Sequence, residues 1–191
     1  MKQEKNLEQE ENLDQEEKTI NSKEVYTGRI IKVREDQVLL SNGNQAEREI
    51  VMHPGGVTVI AIADDDSILL VQQYRKPAEE SLFELPAGKL EIGEDPLESA
   101  KRELIEETGY QAGKIDHLFT FYTSPGFCDE VIHLYIARNL KDVGVNPDQD
   151  EILENHSIKK EDIIEMIKTG KIKDSKTIIG LLYFLQGGID V

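Results

Sequence analysis

The stretch GKLEIGEDPLESAKRELIEETGY, Gly88 to Tyr110, decides how this chain is read. Its middle, 95–108, is the clearest helix in the sequence. Asp95 is a good N-cap, and Pro96 follows at the first helical position, where its missing N–H costs nothing. Glu98 stands three residues after Asp95, the capping-box spacing. Gly109 comes after the last helical residue and suits a left-handed C-terminal cap. Leu97, Ala100 and Leu104 line one face at helical spacing. Beside that stripe Glu103 and Glu107, four apart, lie one above the other, and Glu106 shares their side. Like charges so placed destabilise a helix by roughly 0.2–0.5 kcal/mol per pair. Two readings fit: a solvated acidic face, or carboxylates held together by a hard divalent cation, Mg²⁺ or Mn²⁺, for which oxygen ligands are suited.

Outward from the helix, the whole chain is acidic. Its 191 residues hold 38 acids against 22 bases, a formal net charge of −16. Such a chain repels nucleic-acid phosphates and anionic lipid surfaces. No stretch approaches the ~20 apolar residues a membrane helix needs. The start, MKQEKNLEQEENLDQEEK, has no apolar run, so no secretory signal is expected. A lone cysteine, Cys128, permits neither an internal disulfide nor a cysteine zinc site. These features together point to a cytoplasmic protein. Residues 1–17 carry seven acids and two lysines with little to bury, and a disordered acidic tail is expected over 1–20.

From Val25 the pattern turns to short β-type runs. VYTGRIIKVR and QVLL are separated by EDQ, and the turn signal Ser41 to Gly43 follows. QAEREIVMH, the turn residues Pro54-Gly55-Gly56, VTVIAIA, the aspartates 64–66 and SILLVQQY come next. LFELPAGKL reads as extended, broken at Pro86 and Gly88. Beyond the helix, KIDHLFTFY and EVIHLYIARNL read as strands around a Ser-Pro-Gly turn, and ILENHSI as a shorter one. Two helices, EDIIEMIKTG and DSKTIIGLLYFLQGG, close the chain. Strands, helix, strands and helices predict an α/β (α+β) layered domain over 56–191, preceded by an N-terminal β region over 21–55. The four histidines, 53, 117, 133 and 156, show no ligand spacing and read as structural or surface.

Residues 88–110 have the form G-x5-E-x7-R-E-L-x-E-E-x-G-Y, with Gly88, Glu94, Arg102, Glu103, Leu104, Glu106, Glu107, Gly109 and Tyr110 in place. This resembles the full signature of the Nudix hydrolases without a departure. VQQYRKP, SLFELPAG and SPGFCDE, the last placing Pro125 fifteen residues after Tyr110, resemble the bacterial ADP-ribose pyrophosphatase branch, over about 24–187. The resemblance implies an α/β/α sandwich around a mixed sheet, with the N-terminal β region swapped in a homodimer. It implies Mg²⁺-dependent hydrolysis (Mn²⁺ as substitute) of a nucleoside diphosphate sugar, ADP-ribose first, with GDP-mannose or ADP-glucose as alternatives and a non-catalytic sensor as a third. It implies metal ligation by Glu103, Glu106, Glu107 and the Ala87 carbonyl, with Gly88 letting the backbone turn so that this carbonyl faces the cation. Arg102 is expected to pair with Glu94 and fix the loop onto the helix. Arg75 resembles the arginine that holds the phosphates, while Arg48, Glu49 and Glu130 resemble further substrate contacts. Glu151 resembles the acid that handles the attacking water, with Asp150 its competitor. Tyr26, Phe121 and Phe127 are all candidates to stack on the base.

Overall fold

The computed structural model describes residues 16–144 and 153–187, in two compact units. Glu151 and Asp150 lie outside the described residues.

The first unit takes residues 16–53 together with Gly126–Cys128. It is an antiparallel meander of β1 (Lys18–Thr27), β2 (Lys32–Leu39) and β3 (Gln45–Met52). The expected turn joins β2 to β3, with Gly43 at φ 84°, a value only glycine adopts without strain. Elsewhere the expected boundaries move. The run 25–34 is two strands, parted where the Gly28 N–H donates to the Ile31 carbonyl at 2.9 Å. EDQ is no break but the middle of β2, where buried Asp36 accepts the Ser22 hydroxyl at 2.6 Å and pairs with Arg34. β1 takes in Lys18, Thr19 and Ile20, the last residues of the expected tail, and is exposed along all ten residues. The Val51 N–H donates to the Phe127 carbonyl at 2.8 Å, which ties the 126–128 segment to β3.

The second unit is built on a mixed sheet of seven strands. β4 (Gly56–Ile62) lies at its centre, parallel to β9 (Val131–Asp142), which pairs antiparallel with β8 (Tyr110–Tyr122). On the other side β4 meets β5 (Ile68–Arg75) only at Ala61↔Leu69 and Ile62↔Ile68. The hairpin then opens. β5 goes on with β6 (Glu80–Glu84) and with β10 (Leu153–Ile158), while β4 goes on with the short β7 (Ala87–Lys89). The chain therefore crosses the opening at residues 84–87.

Every residue of β4 is buried, as expected of a strand covered on both faces. Val57, Val59 and Ala61 pack with Ala100 and Leu104 of α1 (Pro96–Thr108). Ile60 and Ile62 pack on the opposite face with Ile163 of α2 (Ile163–Lys168) and Leu181 and Phe184 of α3 (Ser175–Leu185). This is the α/β/α sandwich around a mixed sheet. Each fully buried aliphatic side chain contributes roughly 1.5–3 kcal/mol. No helix among the described residues is long and apolar enough to cross a membrane.

Candidate active site

The helix α1 begins and ends as its sequence predicts. The Asp95 carboxylate accepts the N–H groups of Leu97 (2.9 Å) and Glu98 (3.4 Å), Pro96 opens the helix, and Gly109 caps it at φ 77°. The capping box does not close, because the Glu98 carboxylate instead pairs with Lys101 at 2.7 Å. The apolar stripe turns the helix so that Glu103 and Glu107 face inward, 9% and 3% exposed. Glu106, one residue round, stays half-buried. Two buried carboxylates on adjacent turns of one helix carry a desolvation cost of several kcal/mol each unless charge or hydrogen bonds offset it.

The offsetting groups come from β7 and from Arg102. The Ala87 N–H donates to Glu107 Oε2 at 2.8 Å. The carboxylate of Glu103 lies against Gly88, where a Cβ would stand 1.9 Å from its Cδ. Gly88 thus has a role that its sequence position does not reveal. Its φ is not in the left-handed region, and what the position demands is empty space for the Glu103 carboxylate. Gly56, on the paired strand, is crowded likewise: its Cβ would meet the Gly88 carbonyl oxygen at 2.7 Å.

Arg102 pairs with Glu94, as its sequence position suggests, through Nε (2.9 Å) and Nη2 (3.0 Å). Its Nη1 also donates to Glu103 (2.7 Å) and Glu106 (2.9 Å). One guanidinium therefore ties the loop acid to two of the helix acids. The hydrogen bonds from Arg102 hold Glu94 down to about 2, well below the ordinary carboxylate range. Arg102 itself is raised, first by Glu94 and then by Glu103 and Glu106.

Among the described residues, no group of three or more His, Cys, Asp or Glu side chains forms a metal cage. The donor set nevertheless suits a hard divalent cation. It consists of the carboxylates of α1, gathered at a cradle beside β7 that a single Cβ would fill.

Arg75, at the end of β5, grips Glu84 with Nε (2.7 Å) and Nη2 (2.8 Å). Burial pushes Glu84 up, but Arg75 and Lys176 outweigh it, and the carboxyl ends below its usual range. Arg75 is raised chiefly by Glu84, and Glu107 adds to the effect across space. The sequence reading missed Glu84, although an acid at the end of an apolar strand, LFEL, is a signal that a partner is near. Glu130 is anchored by Thr123, whose hydroxyl donates to it at 2.6 Å. His117 and His133, scattered in sequence, share the Thr120 hydroxyl at 3.1 and 3.0 Å.

In the first unit Arg48 and Glu49 line a cavity of about 540 Å³ together with Asp36, Gln37 and Phe127. Arg48 is engaged there by Glu17, at 2.8 Å to Nε and 2.5 Å to Nη2.

The NUDIX domain model matches residues 52–179. The chain belongs to the Nudix family. A second model, the nucleoside diphosphate sugar hydrolase N-terminal domain, matches residues 17–51. The chain is 48% identical over 168 residues to the methanol dehydrogenase activator of Bacillus methanolicus, covering 87% of this chain and 91% of that one. It is 42% identical, with the same coverage, to the ADP-ribose pyrophosphatase of Bacillus subtilis strain 168. A GDP-mannose pyrophosphatase of Yersinia enterocolitica is 35% identical, over 74% of this chain and 80% of its own. The crystal structure of an ADP compounds hydrolase superposes with a TM-score of 0.81 at 21% identity, covering 93% of this chain and 98% of that one, which shows the shared fold. Nudix hydrolases generally need a divalent metal, and the cradle of this Nudix domain has the oxygen donors for one.

Proposed function

We propose that this Nudix hydrolase cleaves the diphosphate of ADP-ribose to AMP and ribose 5-phosphate, in the cytoplasm, with Mg²⁺ as its cation and Mn²⁺ as a substitute. The observation that carries the reading is the pair of buried carboxylates, Glu103 and Glu107, set against the β7 backbone inside a complete signature. The choice of ADP-ribose is supported by the pyrophosphatase relatives at 42–43% identity and by the sugar-hydrolase match of the N-terminal region.

In this reading Glu103, Glu106, Glu107 and the Ala87 carbonyl would hold the divalent cation, whose charge would offset that of the diphosphate and lower the pKa of a water beside it. Arg102 keeps the loop and the helix acids in one piece through its bonds to Glu94, Glu103 and Glu106. Arg75 holds a phosphate oxygen. Arg48, Glu49 and Glu130 contact the remainder of the substrate. Water oxygen bonds to one phosphorus, the bridging P–O bond breaks, and the bridging oxygen leaves with the other phosphate. The proton from water passes to Glu151, with Asp150 as the alternative acceptor.

The protein acts as a homodimer joined through its N-terminal β region. Support comes from the fully exposed β1 and the apolar side chains Ile20, Val25 and Tyr26 that it presents. Light scattering at micromolar concentration tests this, and a monomer refutes it.

The decisive assay is product analysis. The purified chain with Mg²⁺ is given ADP-ribose, ADP-glucose, GDP-mannose and NADH in separate tubes, and products are resolved by chromatography. AMP forming fastest from ADP-ribose is expected. Faster cleavage of GDP-mannose moves the assignment to the substrate named for the Yersinia relative. A second reading rests on the 48% identical activator: the chain raises the rate of a methanol dehydrogenase. Adding it to that enzyme and following methanol oxidation tests this separately.

A further inference from the structure

We propose that Lys176, at the start of α3, is a positioning residue for phosphate binding. It fixes Glu84, and through Glu84 sets the aim of Arg75. The proposal rests on the reading that Arg75 holds the diphosphate.

The contacts form a closed set. Glu84 is fully buried at the end of β6 and receives two kinds of cation. Arg75 approaches with one edge of its guanidinium, Nε to Oε1 and Nη2 to Oε2. Lys176 Nζ donates to Oε2 as well, and lies 3.0 Å from Asp174 Oδ2. Asp174 caps α3, accepting the Thr177 N–H at 3.0 Å and its hydroxyl at 2.6 Å. The Thr177 hydroxyl in turn accepts the buried Leu85 N–H at 2.8 Å. Two cations and two carboxylates leave the set neutral, as a buried cluster requires.

This set also holds a piece of backbone. Residues 84–87 cross the opening between β4 and β5 and are pinned from three sides. The α3 cap takes the Glu84 carboxylate and the Leu85 N–H. β4 takes the Pro86 carbonyl through the Val59 N–H (2.9 Å) and the Thr58 hydroxyl (3.2 Å). α1 takes the Ala87 N–H through Glu107. The backbone that presents Ala87 and Gly88 to the carboxylate helix is thus the same backbone that α3 clamps.

The geometry of Arg75 explains what the lysine adds. Arginine has a planar fork with five donors, and its Nε–Nη2 edge is spent on Glu84. Nη1 makes no hydrogen bond among the described residues, and the side chain is 40% exposed. One edge is fixed and one nitrogen is offered, an arrangement suited to a phosphate oxygen. With Arg75 alone, Glu84 would be free to rotate toward it and draw the guanidinium inward. Lys176, only 14% exposed, holds Oε2 as well and prevents that.

The test is a double-mutant cycle on ADP-ribose hydrolysis with Mg²⁺. Lys176→Met is expected to raise KM about tenfold, the factor that ~1.4 kcal/mol of lost binding corresponds to, with kcat changed by less than about twofold. In an Arg75→Ala background the same substitution is expected to leave KM unchanged, because its route to the phosphate is gone while Thr177, Val59, Thr58 and Glu107 still pin residues 84–87. An equal rise in KM in both backgrounds, or no rise in the parent, overturns the proposal. If Lys176→Met does not fold, Lys176→Ala, which removes the donor toward Glu84 and leaves room for water there, carries the same cycle with the same two refuting outcomes. An Arg75→Ala enzyme of unaltered KM overturns the role of Arg75, and this proposal with it. Lack of turnover by the unaltered chain is a separate failure, of the substrate reading, and shows before any variant is made.

Discussion

Gly88→Ala gives the sharpest prediction, because the structure sets its magnitude. The added Cβ would stand 1.9 Å from Glu103 Cδ and 2.0 and 2.3 Å from its two oxygens. Ordinary carbon contacts begin at about 3.5 Å, so the carboxylate must retreat by more than about 1 Å. It can do so, since it is the end of a flexible side chain, and the fold survives. Overpacking of this kind costs about 1–3 kcal/mol, which lowers Tm by roughly 2–12 °C in a chain of this length. The loss of function is larger. A misplacement of ~1 Å at a reacting centre costs on the order of 100-fold. ADP-ribose hydrolysis followed across a Mg²⁺ titration should show kcat lower by about that factor and the half-saturating Mg²⁺ concentration raised. Calorimetry on the same sample checks that the chain is folded. A Gly88→Ala enzyme with parental kcat and parental metal dependence would refute the placement of Glu103 against this glycine.

Further outcomes follow from the same geometry. Glu107→Gln keeps the shape but loses the charge, and should lower turnover by on the order of 100-fold or more without loss of the folded state by circular dichroism; near-parental turnover removes the metal assignment. Glu94 is held at about 2 against an ordinary 4.5, so its ionised form contributes stability that is complete above pH 4.5 and lost as pH falls toward 2. Urea midpoints should therefore separate parent from Glu94→Gln above pH 4.5 and converge below it; a constant gap down to pH 2 contradicts the Arg102 pairing. Leu104→Ala empties a fully buried site in the α1 face of the core and should cost about 2–5 kcal/mol in urea unfolding.

Local physics made much of the site legible. Asp95, Pro96 and Gly109 act within one helical turn of themselves, so start and stop of α1 follow from identity and spacing. The stacking of Glu103 on Glu107 is helical period alone. The tie between Arg102 and Glu94 spans eight residues, short enough to be suspected from sequence. What stayed hidden depends on partners far along the chain. EDQ looked like a break because polar residues usually mark one, yet Asp36 is buried in β2, where Ser22 and Arg34 satisfy it. The space that Gly88 leaves for Glu103 becomes visible only once β7 is laid against α1.

The division is one of range. Capping, helical period and the signature's charge pattern are contained in neighbouring residues, and they were enough to place the carboxylates on one helix. The parallel pairing of β4 with β9 joins Gly56 to Ile132, and the contact of Lys176 with Glu84 spans 92 residues. Such pairs form because two faces bury each other and their polar groups must find partners there, a condition on the assembled core rather than on any stretch of the chain. The tertiary structure alone therefore decided which two cations guard the buried Glu84, and which donor of Arg75 remains for a phosphate.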